Sequence, residues 1–107
     1  MSFMVVLTTT ASREEAEKIA RILLEERLVA CVNITDTVSS LFWWKGKIDM
    51  EKEFLLFMKT HESLFPRLKK KLKEIHSYQV PEMIGLPIKM VSEPYKEWLK
   101  ETLQVSE

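Results

Sequence analysis

Apolar residues recur in short blocks, and one of them, Phe54-Leu55-Leu56-Phe57-Met58, has no polar break. Strand side chains point alternately to opposite faces, so a half-solvated strand alternates apolar with polar, and an unbroken run implies burial on both sides. Val29-Ala30-Cys31-Val32 and Leu41-Phe42-Trp43-Trp44 repeat the signal. Only two helices are predicted between the strands, enough to roof one side of a sheet. The other side is then a large apolar patch, which marks an interaction surface. An obligate oligomer is expected.

The remaining pattern supplies the elements. Met4 to Thr9 predicts a first strand, and Ser12-Arg13-Glu14-Glu15 has the Ser-x-x-Glu form that caps a helix start. Ala16, Ile19, Ala20, Leu23 and Leu24 recur on one face of a helix predicted to run to about Arg27. Leu28 to Thr35 predicts a second strand, continuing through a bend near Asp36 into Val38 to Trp44. Lys45-Gly46 supplies a turn with positive φ at Gly46, and the chain returns as Ile48 to Thr60, a long apolar hairpin suited to pairing between subunits.

A second helix is predicted between His61 and Ser77, with Ser63 as a cap, Pro66 in the first turn, and Leu68, Leu72 and Ile75 on one face. Met83 to Val91 predicts a fourth strand. Pro94 opens a last helix whose buried side is Trp98, Leu99 and Leu103. The order is the βαββαβ plan of a ferredoxin-like α+β fold, an antiparallel sheet with helices on one face, followed by a C-terminal helix.

At 107 residues the chain is read as one domain, 1–107, with enough apolar residues for a core without disulfides. Basic and acidic residues balance at 16 each, which argues against nucleic acid as a partner. Lys69-Lys70-Lys71 falls among Leu68, Leu72 and Ile75 at helical spacing and reads as a solvated face. No apolar stretch approaches the roughly 20 residues of a membrane span, so no membrane partner is expected. The single cysteine, Cys31, and the lack of a signal-peptide pattern favour a reducing, cytoplasmic setting.

Gly46 and Gly85 are the only glycines, so no Walker or Gly-x-Gly-x-x-Gly loop can be written, and no serine lies on a Gly-x-Ser-x-Gly elbow. No enzyme chemistry is expected, the one alternative being Glu82 and Tyr78 as an acid and base. Cys31, His61 and His76 are the soft or borderline metal donors, with Glu82 near His76 in sequence, and one chain cannot close a structural zinc site with them. In a symmetric oligomer, one ligand per subunit can converge at an interface. His61 reads as a solvated or capping residue, and Cys31 as a small strand hydrophobe unless it is reachable. Lys45, Lys59 and Glu82 are ionisable residues at strand ends or loops, where a pocket can form. Phe42, Trp43 and Trp44 read as core or interface rather than a base-stacking platform.

Ala30-Cys31-Val32-Asn33-Ile34, Trp44-Lys45-Gly46-Lys47-Ile48, Lys59-Thr60, His76-Ser77-Tyr78-Gln79-Val80-Pro81-Glu82 and Leu86-Pro87-Ile88 together resemble the divalent-cation tolerance (CutA) family, and Glu97-Trp98-Leu99 extends the resemblance into the last helix. It implies a stable homotrimer packed through its sheets, with an architecture similar to the PII signalling proteins, and a link to copper and other divalent metals without an established catalytic activity. Some bacterial members have copper ligands that include a cysteine on the first strand and a histidine near the His-x-Tyr motif. Val5-Val6-Leu7-Thr8-Thr9 has no cysteine, so only His76 carries over, and Val91-Ser92-Glu93-Pro94-Tyr95 replaces a more usual glycine and Asp-Tyr.

The function implied is binding of divalent ions, copper or zinc, in a response to metal ions, with no cofactor required for folding or chemistry. His76 and Cys31 are the candidate metal ligands, and Lys45, Lys59, Tyr78 and Glu82 the candidate intersubunit cleft. The alternative is a PII-like trimeric sensor of a small acidic molecule or of an unknown partner protein.

Overall fold

The computed structural model describes residues 2–106, and Met1 and Glu107, the ends of the expected domain, lie outside them. The elements run β1 (Phe3–Thr10), α1 (Arg13–Glu25), β2 (Cys31–Trp44), β3 (Lys47–His61), a 3-10 turn (Glu62–Leu64), α2 (Phe65–Ile75), β4 (Ile84–Pro87) and α3 (Glu93–Leu103). The strands form one sheet in the order β2-β3-β1-β4, with every neighbouring pair antiparallel. This is the expected α+β plan.

Alternation along β1 and β3 divides the core. Val6, Leu56 and Met58 are buried beneath Ala16, Ile19 and Leu23 of α1 and Leu68 and Leu72 of α2. Their neighbours Val5, Leu7, Leu55 and Phe57 point to the opposite face, where they are half-buried, and Ile84 and Leu86 on β4 stand exposed beside them. The run from Phe54 to Met58 is thus apolar towards two faces, one of which has no helical roof along most of its length. Phe3 shares that second face with Val5, and α3 covers its end by packing Leu99 and Leu103 against Phe3, Ala30 and Leu64.

The ends of elements correct several expectations. Ser12 caps α1 as read, its Oγ accepting the Glu15 amide at 3.1 Å, but the helix stops at Glu25 rather than Arg27. Arg27 takes a φ of 56°. There it lets the Arg27 and Leu28 amides donate to the carbonyls of Leu24 and Leu23, a helix stop made without glycine. Leu28, Val29 and Ala30 belong to a buried connection and not to β2, with the Leu28 carbonyl accepting from Thr60 Oγ1 at 2.6 Å. The expected bend near Asp36 appears as a register shift between Ile34 and Thr37.

At the hairpin tip Lys45 as well as Gly46 has positive φ, 51° and 80°, the pairing a tight two-residue turn requires. His61, not Ser63, caps the next turn: it is buried, and its Nδ1 accepts the Ser63 amide at 3.1 Å. β4 is confined to Ile84–Pro87, paired with Met4 to Leu7 of β1, and one further bond runs from the Ile88 amide to the Phe3 carbonyl at 2.9 Å. A Cβ at Gly85 would meet the end of the flexible Met4 side chain. Trp98 is 42% exposed, so the buried side of α3 is Leu99 and Leu103 alone.

Leu68 is fully buried between α1 and the sheet. Leu68→Ala is expected to lower stability by about 2–5 kcal/mol. The measurement is the denaturant midpoint at fixed chain concentration, and an unchanged midpoint contradicts this packing.

Candidate metal and ligand site

The candidate residues fall in four places within one chain. Lys45 sits at the exposed hairpin tip, with its Nζ 5.9 Å from the Trp44 ring. Glu82 is exposed, with no hydrogen bond or ion pair recorded among the described residues. The other four residues belong to two distinct clusters.

The first cluster surrounds His76 at the end of α2. Its side chain is fully buried, with Nε2 2.7 Å from the Thr9 carbonyl and Nδ1 3.0 Å from the Tyr78 amide. A carbonyl can only accept and an amide N–H can only donate, so Nε2 carries the proton and the Nδ1 lone pair is occupied. The ring is held as one neutral tautomer. Glu15 Oε2 lies 3.7 Å from Nδ1, and the carboxylate accepts from the Ser77 amide at 2.8 Å and its hydroxyl at 3.0 Å. The Tyr78 hydroxyl donates to Glu53 Oε2 at 2.7 Å. Residues of β1, α1, β3 and the segment after α2 are thereby tied together. A metal ion at His76 would have to displace the Tyr78 amide.

The second cluster lies on the sheet face away from α1 and α2. Cys31 pairs with Lys59 across β2 and β3, and its half-exposed Sγ stands 3.7 Å from Lys59 Nζ. Lys59 Nζ also donates to Asn33 Oδ1. Tyr95 of α3 is a neighbour of Cys31, and partial burial, then that neighbour, raises the Tyr95 pKa above its ordinary value. The cluster joins a soft sulfur, an amide oxygen, a phenol and an ammonium, chemistry that suits either a thiophilic ion or a small anion.

Among the described residues no three His, Cys, Asp or Glu side chains converge as a metal cage. Among those residues, an ion held through Cys31 would find no further carboxylate or imidazole donors grouped around it. Sequence reasoning missed Glu15, Glu53, Asn33 and Tyr95. For Glu53, the polar residue at the edge of the Phe54 to Met58 run, position alone was the available signal, and nothing in the sequence pairs it with Tyr78.

Burial, then the Glu53 carboxylate, raises the Tyr78 pKa well above its ordinary 10. The folded chain therefore keeps a proton that the unfolded chain releases above about pH 10. The linked stability is fully present below pH 10 and drains as pH rises through the folded value. Tyr78→Phe is expected to cost about 1–3 kcal/mol at neutral pH by stranding Glu53, and to flatten the loss of stability above pH 10. Denaturant midpoints of both proteins across that range measure it, and parallel alkaline losses contradict the assignment.

The family described as CutA1 divalent ion tolerance protein matches residues 4–102. The divalent-cation tolerance protein CutA of Thermus thermophilus is 45% identical over 97 residues, covering 91% of this chain and 94% of that protein. Its structure superposes with a TM-score of 0.91, covering 94% of this chain and 97% of that one. The rice protein CutA 1, chloroplastic, is 42% identical over 95% of this chain, which spans 58% of its length. The crystal structure of CutA1 from rice gives a TM-score of 0.93 at 40% identity, covering 100% of this chain and 96% of that one. The periplasmic divalent cation tolerance protein CutA of Archaeoglobus fulgidus gives 0.91 at 39% identity, covering 94% and 98%. Those names carry different compartments. No helix among the described residues is long and apolar enough to cross a membrane.

Proposed function

The chain belongs to the CutA1 divalent ion tolerance protein family, and from that premise we propose that it works as a homotrimer that coordinates divalent metal ions, copper or zinc, in the response to metal ions. The observation that carries the reading is the unroofed sheet face. Val5, Leu7, Leu55, Phe57, Ile84 and Leu86 form a continuous apolar surface there, while Leu41, Trp43, Ile48 and Met50, all exposed, lie on the other side of the hairpin, beyond the reach of α1 and α2. Surfaces of that extent are covered in working proteins, and other copies of the chain are the partner that the family premise supplies.

Cys31 lies on that face, so copies that cover it bring further donors towards its sulfur. Of the two candidate ligands it is the accessible one, whereas His76 contributes only if its bond to the Tyr78 amide yields. A lone free thiol supports a reducing, cytoplasmic setting. A second reading rests on Lys59: an ammonium beside Asn33 and Tyr95 on the same face suits a small acidic ligand, sensed as PII-like trimers sense theirs. Lys45, from the tip of another copy's hairpin, is the cation that would complete such a cleft, and an unidentified protein would read the liganded state.

Sedimentation equilibrium is expected to give three times the 12.6 kDa chain mass at micromolar concentration, and a folded monomer contradicts the trimer. Calorimetric titration of tag-free protein with Cu(II) and Zn(II) is expected to show saturable binding at one or three ions per trimer, lost in Cys31→Ser. Binding that survives this substitution removes Cys31 as a ligand. No binding at all, with metabolite acids raising the melting temperature, favours the sensor reading.

A further inference from the structure

Three helix ends meet at one end of the molecule: the last turn of α1, the first turn of α2 and the last turn of α3. Between them lies a cavity of about 420 Å³, within the range of small-molecule sites. It is open to solvent on one side and lined mainly by polar groups, from the exposed Arg27, Arg67, Ser63 and Gln104, with a small apolar floor from Leu64, Leu103 and Val105. No strand residue lines it.

The charges in this cavity are unequally committed. Glu26, its one carboxylate, is held by Lys71 at 3.0 Å. Arg27 has no carboxylate partner among the described residues. Its Nη1 donates to the Thr102 carbonyl of α3 at 2.8 Å, which fixes the guanidinium and leaves its other N–H groups available. Arg67 has neither an ion pair nor a side-chain hydrogen bond recorded among the described residues. In a chain of zero formal charge, two guanidinium groups line one pocket in which Glu26, the one carboxylate among the described lining residues, is already paired with Lys71.

Planar guanidinium groups with a fixed fork of donors match the oxygens of phosphate and carboxylate, and an anchored arginine loses less freedom on binding than a free one. The small floor of Leu64, Leu103 and Val105 suits a compact carbon body attached to such a group. We propose that this cavity is a binding site for a small oxyanion, a phosphate or carboxylate on a compact apolar body, gripped by Arg27 and Arg67. The site is separate from Cys31 and His76 and does not depend on metal binding.

The test is calorimetric titration of the intact protein with inorganic phosphate and, separately, malonate, at constant ionic strength. Saturable binding of at least one anion is expected at one per chain, and the tighter of the two identifies the source of the oxygens. Arg67→Gln is expected to weaken it roughly tenfold or more, since a hydrogen bond to a charged group is lost. Lys69→Gln removes the same charge from an exposed position on α2 outside the cavity and is expected to change affinity less than about twofold. Neither substitution touches the core, so melting temperatures should match the parent. Absence of saturable binding by both anions, or equal weakening by the two substitutions, overturns the proposal.

Discussion

Strand β3 is hydrogen-bonded on both edges, to β1 through Phe54–His61 and to β2 along nearly its whole length, so every other part of the sheet takes its position from it. Its inner half must also be apolar on two faces. Leu56 and Met58 supply the core beneath α1 and α2, while Leu55 and Phe57 supply the opposite surface. One strand therefore imposes two packing requirements, and the chain's own helices meet only the first in full. α3 covers one end of the second face, around Phe3, and leaves the rest to something outside the chain.

The polar chemistry is arranged around this frame in different ways on its two sides. Beyond the end of β1, His76, Tyr78, Glu53 and Glu15 form a hydrogen-bonded set in which every ring nitrogen and hydroxyl has a partner, and such a set fixes geometry. On the unroofed face, Cys31 and Lys59 are only half-buried, with contacts near the outer limit of hydrogen bonding to sulfur. The first arrangement holds the segment after α2 in place. The second retains unused donor and acceptor capacity, which is where ligand chemistry has room to operate.

Features decided within a few residues were legible in the sequence. The Ser12 cap, the turn at Lys45-Gly46 and the apolar run on β3 depend on neighbours in the chain, and each appears where local pattern puts it. Features decided by distant partners were not. His76 and Thr9 are 67 residues apart, and Tyr78 and Glu53 are 25 apart, so no spacing rule joins them. Trp98 lies beside the buried Leu99, yet helical periodicity alone could not show that only Leu99 and Leu103 face the core. Arg27 ends α1 in a conformation that glycine usually takes, and the sequence there contains no glycine to announce it.

The sheet order has a consequence for how the chain is made. β1 is synthesised early, yet it lies inside the sheet, and its strand partners among the described residues are 54–61 and 84–87. A growing polypeptide that has emerged as far as Trp44 carries β1 with both edges bare. β2 cannot relieve this, because it pairs with β3 alone. The first half is therefore not a folding unit by itself. Backbone pairing across the sheet waits until late in translation, and until then the apolar N-terminal strand is a segment for chaperones to shield.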